Sequence, residues 1–215
     1  MTDQTVKQNV LDELSWEPSI QAAHIGVTAR DGVVTLTGHV DSYAEKVAAE
    51  HAAERIFGVK AVAQELEVRY PFTPAEGDDD VAKRVLQTLS WDMFVPRDKV
   101  KVKIEKGYVT LSGDLDWQYQ RESAEHAVRR LSGVVGVSNQ IVIKPTVKAA
   151  DVRDKIKAAF GRSSEIDADD ITITTDGGKV TLSGQVKTYH ERFLAQSKAW
   201  SAPGVTQVED LLTVN

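Results

Sequence analysis

Three heptapeptides of nearly the same sequence contain the first residues that could do chemistry. VTLTGHV at 34–40, VTLSGDL at 109–115 and VTLSGQV at 180–186 each place a glycine after a β-branched run, as phosphate-binding loops do. Such loops need several glycines between a strand and a helix, with a lysine or an acidic partner at a defined offset. Here each glycine stands alone, and acidic residues such as Asp41 and Asp114 lie where a phosphate would bind. The heptapeptides therefore predict structural glycines and no phosphate site.

Histidine is the second candidate, because AEHA occurs at 49–52 and again at 124–127. Zinc sites on helices pair two imidazoles four residues apart, and neither His51 nor His126 has such a partner. Both are expected on solvent-facing helix surface. The chain has no cysteine, no G-x-S-x-G nucleophile motif and no pair of carboxylates at matched positions. We therefore predict no catalytic residue, no metal site, no cofactor and no enzymatic activity.

Two acidic runs, Asp78–Asp80 and 167–170, are the third candidate. Calcium loops need a glycine and a distant bidentate glutamate, and neither run provides them. Helix capping and a solvated turn account for these carboxylates. A potassium ion held by backbone carbonyls leaves no mark in a sequence, so potassium binding stays an open alternative.

The distribution of charge distinguishes the middle of the chain from its two ends. Residues 81–143 hold 10 basic and 7 acidic residues, whereas residues 1–70 hold 6 and 11, and residues 151–215 hold 8 and 10. In the middle segment, Lys99, Lys101 and Lys103 alternate with apolar residues. Because side chains alternate across a strand, the three ammonium groups are expected on one sheet face.

Large apolar side chains precede these lysines in the sequence. Trp91, Met93 and Phe94 form an unusually apolar exit from a predicted helix. Cations beside exposed aromatics attract an anionic interface, where each cation contributes about 1 kcal/mol. The alternative is that the aromatics complete a small core and the lysines protect an exposed sheet. The candidate residues for binding a lipid or a partner are Trp91, Met93, Phe94, Lys99, Lys101 and Lys103.

Composition excludes several classes of protein. The 215 residues are 41% hydrophobic and 27% charged, which is typical of a globular protein. The net charge of −6 predicts no nucleic-acid partner. Asp3, Asp12 and Glu13 stand where a secretory signal would be basic and then apolar, and no run is long enough for a transmembrane segment. We expect a cytoplasmic protein, or a periplasmic one if the sequence lacks its native leader. The oligomeric state stays open.

The heptapeptides belong to three longer copies of one plan. Their glycines are 75 and then 71 residues apart, and a Gly-Val pair follows each after 20 residues. Each copy shows a helical period, a two-residue period, a glycine turn, the heptapeptide, an alanine-rich helix and a last strand. Thr5, Asp80 and Asp151 are expected to cap the first helices. The structural glycines are Gly38, Gly58, Gly113, Gly133, Gly184 and Gly204.

The pattern V-T-L-[ST]-G, a helix and then G-V-x-x-V-x-x-x-L-x-V closely resembles the BON domain, named for bacterial osmotically inducible and nodulation proteins. The resemblance implies an α+β fold of three tandem αββαβ domains, each a three-stranded mixed sheet with two helices on one face. We predict domains at 1–70, 78–145 and 149–215, joined by linkers that contain Pro71, Pro74 and Pro145.

The resemblance also implies a transport-associated, osmotic or envelope stress role, with phospholipid surfaces as the best-known ligand of the family. We therefore expect a non-enzymatic bacterial protein that binds anionic phospholipid surfaces, or an envelope or protein partner. Two alternatives stay open. One is binding or sensing of potassium or another small cation, and the other is chaperone-like holding of client proteins at open sheet edges.

Overall fold

The computed structural model describes residues 2–71, 77–144, 151–163 and 166–214, and within them lie six α-helices and three sheets of three strands. The first module contains α1 (Asp3–Trp16), β1 (Ile25–Arg30), β2 (Val33–Val40), α2 (Tyr43–Glu54) and β3 (Ala61–Val68). The middle module contains α3 (Asp78–Trp91), β4 (Val100–Glu105), β5 (Tyr108–Leu115), α4 (Gln118–Val128) and β6 (Gly136–Ile143). The third module contains α5 (Val152–Phe160), β7 (Ile171–Asp176), β8 (Lys179–Val186), α6 (Tyr189–Trp200) and β9 (Gln207–Val214).

Each sheet has its heptapeptide strand in the centre, in the orders β1-β2-β3, β4-β5-β6 and β7-β8-β9. In the middle module β4 pairs with β5 antiparallel, and β5 pairs with β6 parallel. The third module repeats both pairings. A parallel neighbour requires a crossover, which α4 and α6 supply. The predicted α+β fold of three αββαβ modules with mixed sheets is therefore confirmed.

Contacts divide the chain into two compact units. One contains residues 1–37, 49–65 and 145–215, and the other contains residues 38–48 and 66–144. In the second unit, the hydroxyl of Tyr70, just after β3, donates a hydrogen bond to the carbonyl oxygen of Val134 at 2.6 Å. Burial raises the pKa of Tyr70.

Pro71 is described, whereas the linker residues Pro74 and Pro145 and the proposed boundary at residue 149 lie outside the described residues.

The first helix of each module buries one apolar stripe with a spacing of four residues. The buried side chains are Val6, Val10 and Leu14 in α1, Val81, Val85 and Leu89 in α3, and Val152, Ile156 and Phe160 in α5. The second helix brings small residues against the sheet, among them Ala49, Ala124 and Ala195. The three cores are therefore built from the same positions with different volumes.

The helix starts differ from the sequence prediction. Thr5 and Asp80 lie inside α1 and α3, and Asp151 occupies the cap position without a side-chain cap hydrogen bond. The caps of α1 and α3 lie three residues earlier, at Thr2 and Gly77, and Thr2 Oγ1 accepts a hydrogen bond from the backbone N–H of Thr5. The first-turn carboxylate of each helix contacts the hairpin instead. In the middle module Asp78 accepts hydrogen bonds from the backbone N–H groups of Lys106, at 2.7 Å, and Gly107, at 3.0 Å.

Asp3 accepts the equivalent bonds from Asp31 and Gly32 in the first module. These carboxylates hold a helix start against a hairpin turn whose two central residues have positive φ, as in a type I′ turn. The aligned residue of the third module is Ala149, which lies outside the described residues.

Two modules bury a single carboxylate at the same aligned position, and this carboxylate has a structural role. Glu45 and Glu191 are aligned, and Gln120 takes the same place in the middle module. Glu191 accepts hydrogen bonds from the backbone N–H groups of Asp167 and Lys187, both at 2.8 Å, while Thr188 Oγ1 accepts from the N–H of Glu191. These residues form capping boxes that join α6, and likewise α2, to the preceding strand.

The heptapeptide glycines allow a close approach of two backbones. Gly113 has φ of 140°, and a Cβ atom at this position would lie 2.0 Å from the carbonyl oxygen of Lys99. Gly184 has φ of 125°, with its Cβ position 2.0 Å from the carbonyl oxygen of Asp170. Only glycine, which has no Cβ atom, can adopt this positive φ and leave room for the neighbouring carbonyl oxygen.

We predict that Gly113→Ala lowers the free energy of unfolding of the middle module by about 3 kcal/mol, because the methyl group meets backbone and the φ is strained. Guanidinium unfolding, monitored by tryptophan fluorescence, measures the change. Gly161→Ala is the control, since Gly161 has a helical φ and its nearest neighbour would be 3.7 Å from the new methyl group. Equal midpoints for the two variants would contradict the prediction.

Candidate functional site

The three candidate lysines lie on one exposed face of β4, and we call them the lysine row. Lys99, immediately before β4, and Lys101 and Lys103 within it are exposed, while the alternating Val100, Val102 and Ile104 are partly buried. Strand geometry separates alternate residues by roughly 6.6 Å, so the row extends over roughly 13 Å. Because all three side chains are exposed, the row faces solvent along its whole length.

Carboxylates reduce the charge of the lysine row below the sequence expectation. Lys99 Nζ is 3.3 Å from Asp116 Oδ2, and Lys103 Nζ is 3.0 Å from Glu105 Oε1. Lys101 contacts no carboxylate among the described residues. Exposed ion pairs of this kind contribute roughly 0–1 kcal/mol each, so an external anion can compete with Asp116 and Glu105.

The end of α3 and the residues that follow it expose large apolar side chains, and we call Trp91, Met93 and Phe94 the exit loop. Trp91 is 76% exposed, Met93 91% and Phe94 56%. The alternative in which the aromatics Trp91 and Phe94 complete the core of the module does not describe this structure, because both are more than half exposed. Val95 is the residue of this segment that enters the core, as the aligned Ile20 and Ile166 do in the other modules.

Polar and aromatic contacts hold the exit loop against α4. Asp92 Oδ1 accepts from the backbone N–H of Phe94 at 2.8 Å, and Asp92 Oδ2 accepts from Ser123 Oγ at 2.9 Å. The Phe94 ring meets the edge of Tyr119 with centroids 5.9 Å apart. Tyr119 stacks on Trp117 at 6.4 Å. The exposed side chains are therefore presented by a fixed backbone.

These contacts connect the exit loop to one end of the lysine row. Phe94 touches Tyr119, Tyr119 touches Trp117, and the neighbouring Asp116 pairs with Lys99. Lys101 and Lys103 lie progressively farther along the strand. The sequence singled out all six candidate residues, but it did not predict that Tyr119 and Asp116 join the two groups.

A cleft of about 640 Å³ opens beside the exit loop and was not predicted from the sequence. Its walls are mainly apolar, and its polar side chains are Ser90, Arg97 and Asp98. The apolar lining consists of Leu86, Leu89, Trp91, Val95, Pro96 and Val100. The lining therefore offers apolar contact surface together with a cation, a carboxylate and a hydroxyl.

A smaller recess of about 170 Å³ lies in the other compact unit, where His51, Glu54 and Arg55 of the first module meet Tyr189, His190 and Phe193 of the third. The rings of His51 and Phe193 have centroids 6.4 Å apart. Burial, and secondarily the nearby Glu50 carboxylate, raise the pKa of Glu54 above its usual 4.5. His51 is therefore exposed but in contact with another module, which its position on a helix surface did not indicate.

The remaining chemical candidates form no metal centre in the part of the chain that the structure describes. No three histidine, aspartate or glutamate side chains there lie close enough to hold a metal ion. Asp79 and Asp80 contact Lys83 at 3.4 and 3.1 Å. His126 is exposed and lies 3.2 Å from Arg130. Partial burial, with the Arg129 and Arg130 charges, lowers the pKa of His126.

Comparison with known proteins identifies the repeated module. The family model of the BON domain matches three times, at residues 2–70, 77–145 and 148–215. The chain belongs to the BON domain family. The chain is similar to osmotically-inducible protein Y of Escherichia coli strain K12, with 32% identity over 148 residues. This alignment covers 67% of this chain and 74% of that protein. The predicted family and its three copies are confirmed.

Solved structures align along the chain with low scores. One is CdsD, a structural protein of the type III secretion system of Chlamydia trachomatis, with 15% identity, 97% of this chain and 91% of that chain covered, and a TM-score of 0.27. Another is the PrgH periplasmic domain, with 10% identity, 95% and 99% coverage, and a TM-score of 0.21. At these scores the alignments say nothing about the function of the BON modules.

The recess between the first and third BON modules gives a prediction about pH. Because the pKa of Glu54 is raised in the folded state, folding takes up protons near this pKa, and stability falls as pH rises from 4.5 through the raised value. Glu54→Gln removes this penalty. We expect the variant to melt at a higher temperature than the wild type at pH 7, and the difference to shrink towards pH 4. A difference that grows on acidification would contradict the assignment.

Proposed function

We propose that this chain is a non-enzymatic BON-domain protein of osmotic or envelope stress, and that its middle module binds anionic phospholipid surfaces. The stress role is proposed from the similarity to osmotically-inducible protein Y. The binding role rests on one observation above all, the exposure of Trp91 and Met93 on a held loop next to the lysine row. The expected cytoplasmic location stays a prediction.

The free energies of apolar burial and of charge attraction indicate which part of this surface provides most of the affinity. Burying a large apolar side chain contributes about 1.5–3 kcal/mol, so Trp91, Met93 and Phe94 together could provide about 4–9 kcal/mol. A cation near an acidic surface contributes about 1 kcal/mol, and Asp116 and Glu105 reduce that contribution. The exit loop therefore supplies most of the affinity, and the lysine row supplies the preference for acidic lipid.

The other modules lack this combination. The first module has an exposed Trp16 aligned with Trp91, but His24, Gly26 and Thr28 replace the lysine row. The third module has Arg162 in place of Trp91, and threonines in place of Lys101 and Lys103. None of the described helices is long and apolar enough to cross a membrane, so the proposed contact is peripheral, as for interfacial segments that insert a few side chains.

Charge reversal of the lysine row tests the electrostatic part. We expect K99E/K101E/K103E to weaken binding to acidic vesicles by about 100-fold or more, since three favourable charges become unfavourable. Co-flotation with acidic and neutral vesicles, at low and high salt, measures the change. R153E/K155E/K157E in the third module is the control with the same change in net charge, and it should float like the wild type. Equal flotation of both variants would remove the lysine row from the proposal.

Truncation of the exit loop tests the apolar part. We expect W91A/M93A to weaken vesicle binding by about 100-fold at low and at high salt, because burial of apolar surface is not screened. Trp16→Ala, at the aligned position of the first module, is the control and should change binding little. If W91A/M93A floats like the wild type on acidic vesicles, the exit loop is not a membrane contact.

A further inference from the structure

We propose that the cleft of the middle module binds the hydrocarbon tail of a single-chain anionic amphiphile, such as a fatty-acid carboxylate. The proposal extends the proposed function and rests on it only for the anionic character of the ligand. It concerns a dissolved, monomeric ligand that enters the protein, whereas vesicle binding requires only that side chains of the exit loop enter a membrane.

The size and lining of the cleft suit such a tail. Its volume of about 640 Å³ lies within the roughly 300–1,000 Å³ of small-molecule sites, which are mostly apolar with a few polar groups that orient the ligand. Leu89 and Val95 form buried parts of the wall. Ser90, Arg97 and Asp98 provide the polar groups.

Smaller side chains help to leave this volume open. Leu89, Val95 and Val100 line the cleft, and the aligned residues of the third module are the larger Phe160, Ile166 and Ile171. All three of these larger residues are buried in the core of the third module.

The turn before the first strand of the sheet also differs. The first and third modules form short 3₁₀ turns at Ala22–His24 and Ala168–Asp170. In the middle module the aligned segment, residues 97–99, follows Pro96 and contains Asp98 with φ of 62°. The backbone before the first strand therefore differs between the middle module and the other two.

The rim of the cleft exposes apolar surface that a tail would cover. Leu86 is 52% exposed and Trp91 is 76% exposed, and both line the opening. The third module has the exposed Lys157 and Arg162 at these two positions. The middle module therefore has an apolar rim where the third module has two cations.

Charge at the rim selects the head group. The guanidinium of Arg97 has no hydrogen-bond or ion-pair partner among the described residues, and alanine takes its place in both other modules, as Ala22 and Ala168. Lys99 lies two residues farther along, while Asp98 is the carboxylate of the lining. A guanidinium fork matches a carboxylate or sulfate in two hydrogen bonds, so these groups favour an anionic head group over a cationic one.

Titration calorimetry of the full chain with dodecanoate, below its critical micelle concentration and without vesicles, tests the proposal. We expect one saturable site per chain. Each buried methylene contributes about a fourfold gain in affinity, so decanoate should bind about sixteenfold more weakly than dodecanoate. Dodecylammonium should bind more weakly than dodecanoate, and Arg97→Ala should cost about fivefold for dodecanoate. Absence of saturable dodecanoate binding to the wild type would overturn the proposal.

Filling the cleft with the residues of the third module is the decisive variant. L89F/V95I/V100I should retain the melting transition and lose dodecanoate binding by at least about 50-fold, while it still floats with acidic vesicles. If this variant does not fold, Leu86→Gln replaces it, because Leu86 is half exposed, and should bind dodecanoate at least about fivefold more weakly. Leu11→Gln, at the aligned position of the first module, is the control and should bind like the wild type. Dodecanoate affinity unchanged by the folded cleft variant would overturn the proposal.

The two proposals fail separately in these experiments. Dodecanoate binding without vesicle flotation would support the cleft and remove the membrane contact. Vesicle flotation without dodecanoate binding would support the membrane contact and overturn the cleft.

Discussion

A backbone carbonyl that lies against the α-carbon of a glycine fixes the start of the hairpin in the middle and third modules. In the middle module the carbonyl belongs to Lys99 and the glycine is Gly113. Because β4 must begin at this contact, the chain between the end of α3 and Lys99 has to cover a set distance. Within that segment Val95 enters the core, whereas Met93, and Trp91 at the end of α3, are exposed. The candidate surface therefore lies directly before the strand whose start this contact fixes.

The sequence allowed the fold to be predicted because each element has one buried face with its own period. The second strand, its glycine and the helix-ending Gly-Val pair recur at constant offsets, and no local feature competes with them. The capping boxes were missed although their signals are present, as S-Y-A-E at 42–45 and T-Y-H-E at 188–191. The candidate surface was predicted residue by residue, but its counterions were not, since Asp116 follows a different strand and the side-chain contact of Glu105 with Lys103 leaves no mark in the sequence.

The cleft and the recess could not be predicted for a different reason. The cleft is lined by Leu89, Val95 and Val100, which differ from their aligned residues in size but not in apolar character, so the apolar pattern of the sequence is unchanged. The recess joins His51 to Phe193, which are far apart in the sequence. Volume and long-range proximity are properties of the packed chain. The repeated pattern therefore predicts the fold of each module, whereas the residues that differ between the copies determine the surface of each module.

The carboxylates at the starts of α1 and α3 have a consequence for how the three modules lose structure. Asp3 and Asp78 connect a helix to a hairpin turn, whereas the third module has Ala149 at this position and a first helix of 9 residues instead of 14. A shorter helix held mainly by Val152, Ile156 and Phe160 opens at a lower free energy than its counterparts. Amide hydrogens of α5 then exchange with solvent first, and opening of this helix uncovers Phe160, the largest side chain buried in any of the described cores.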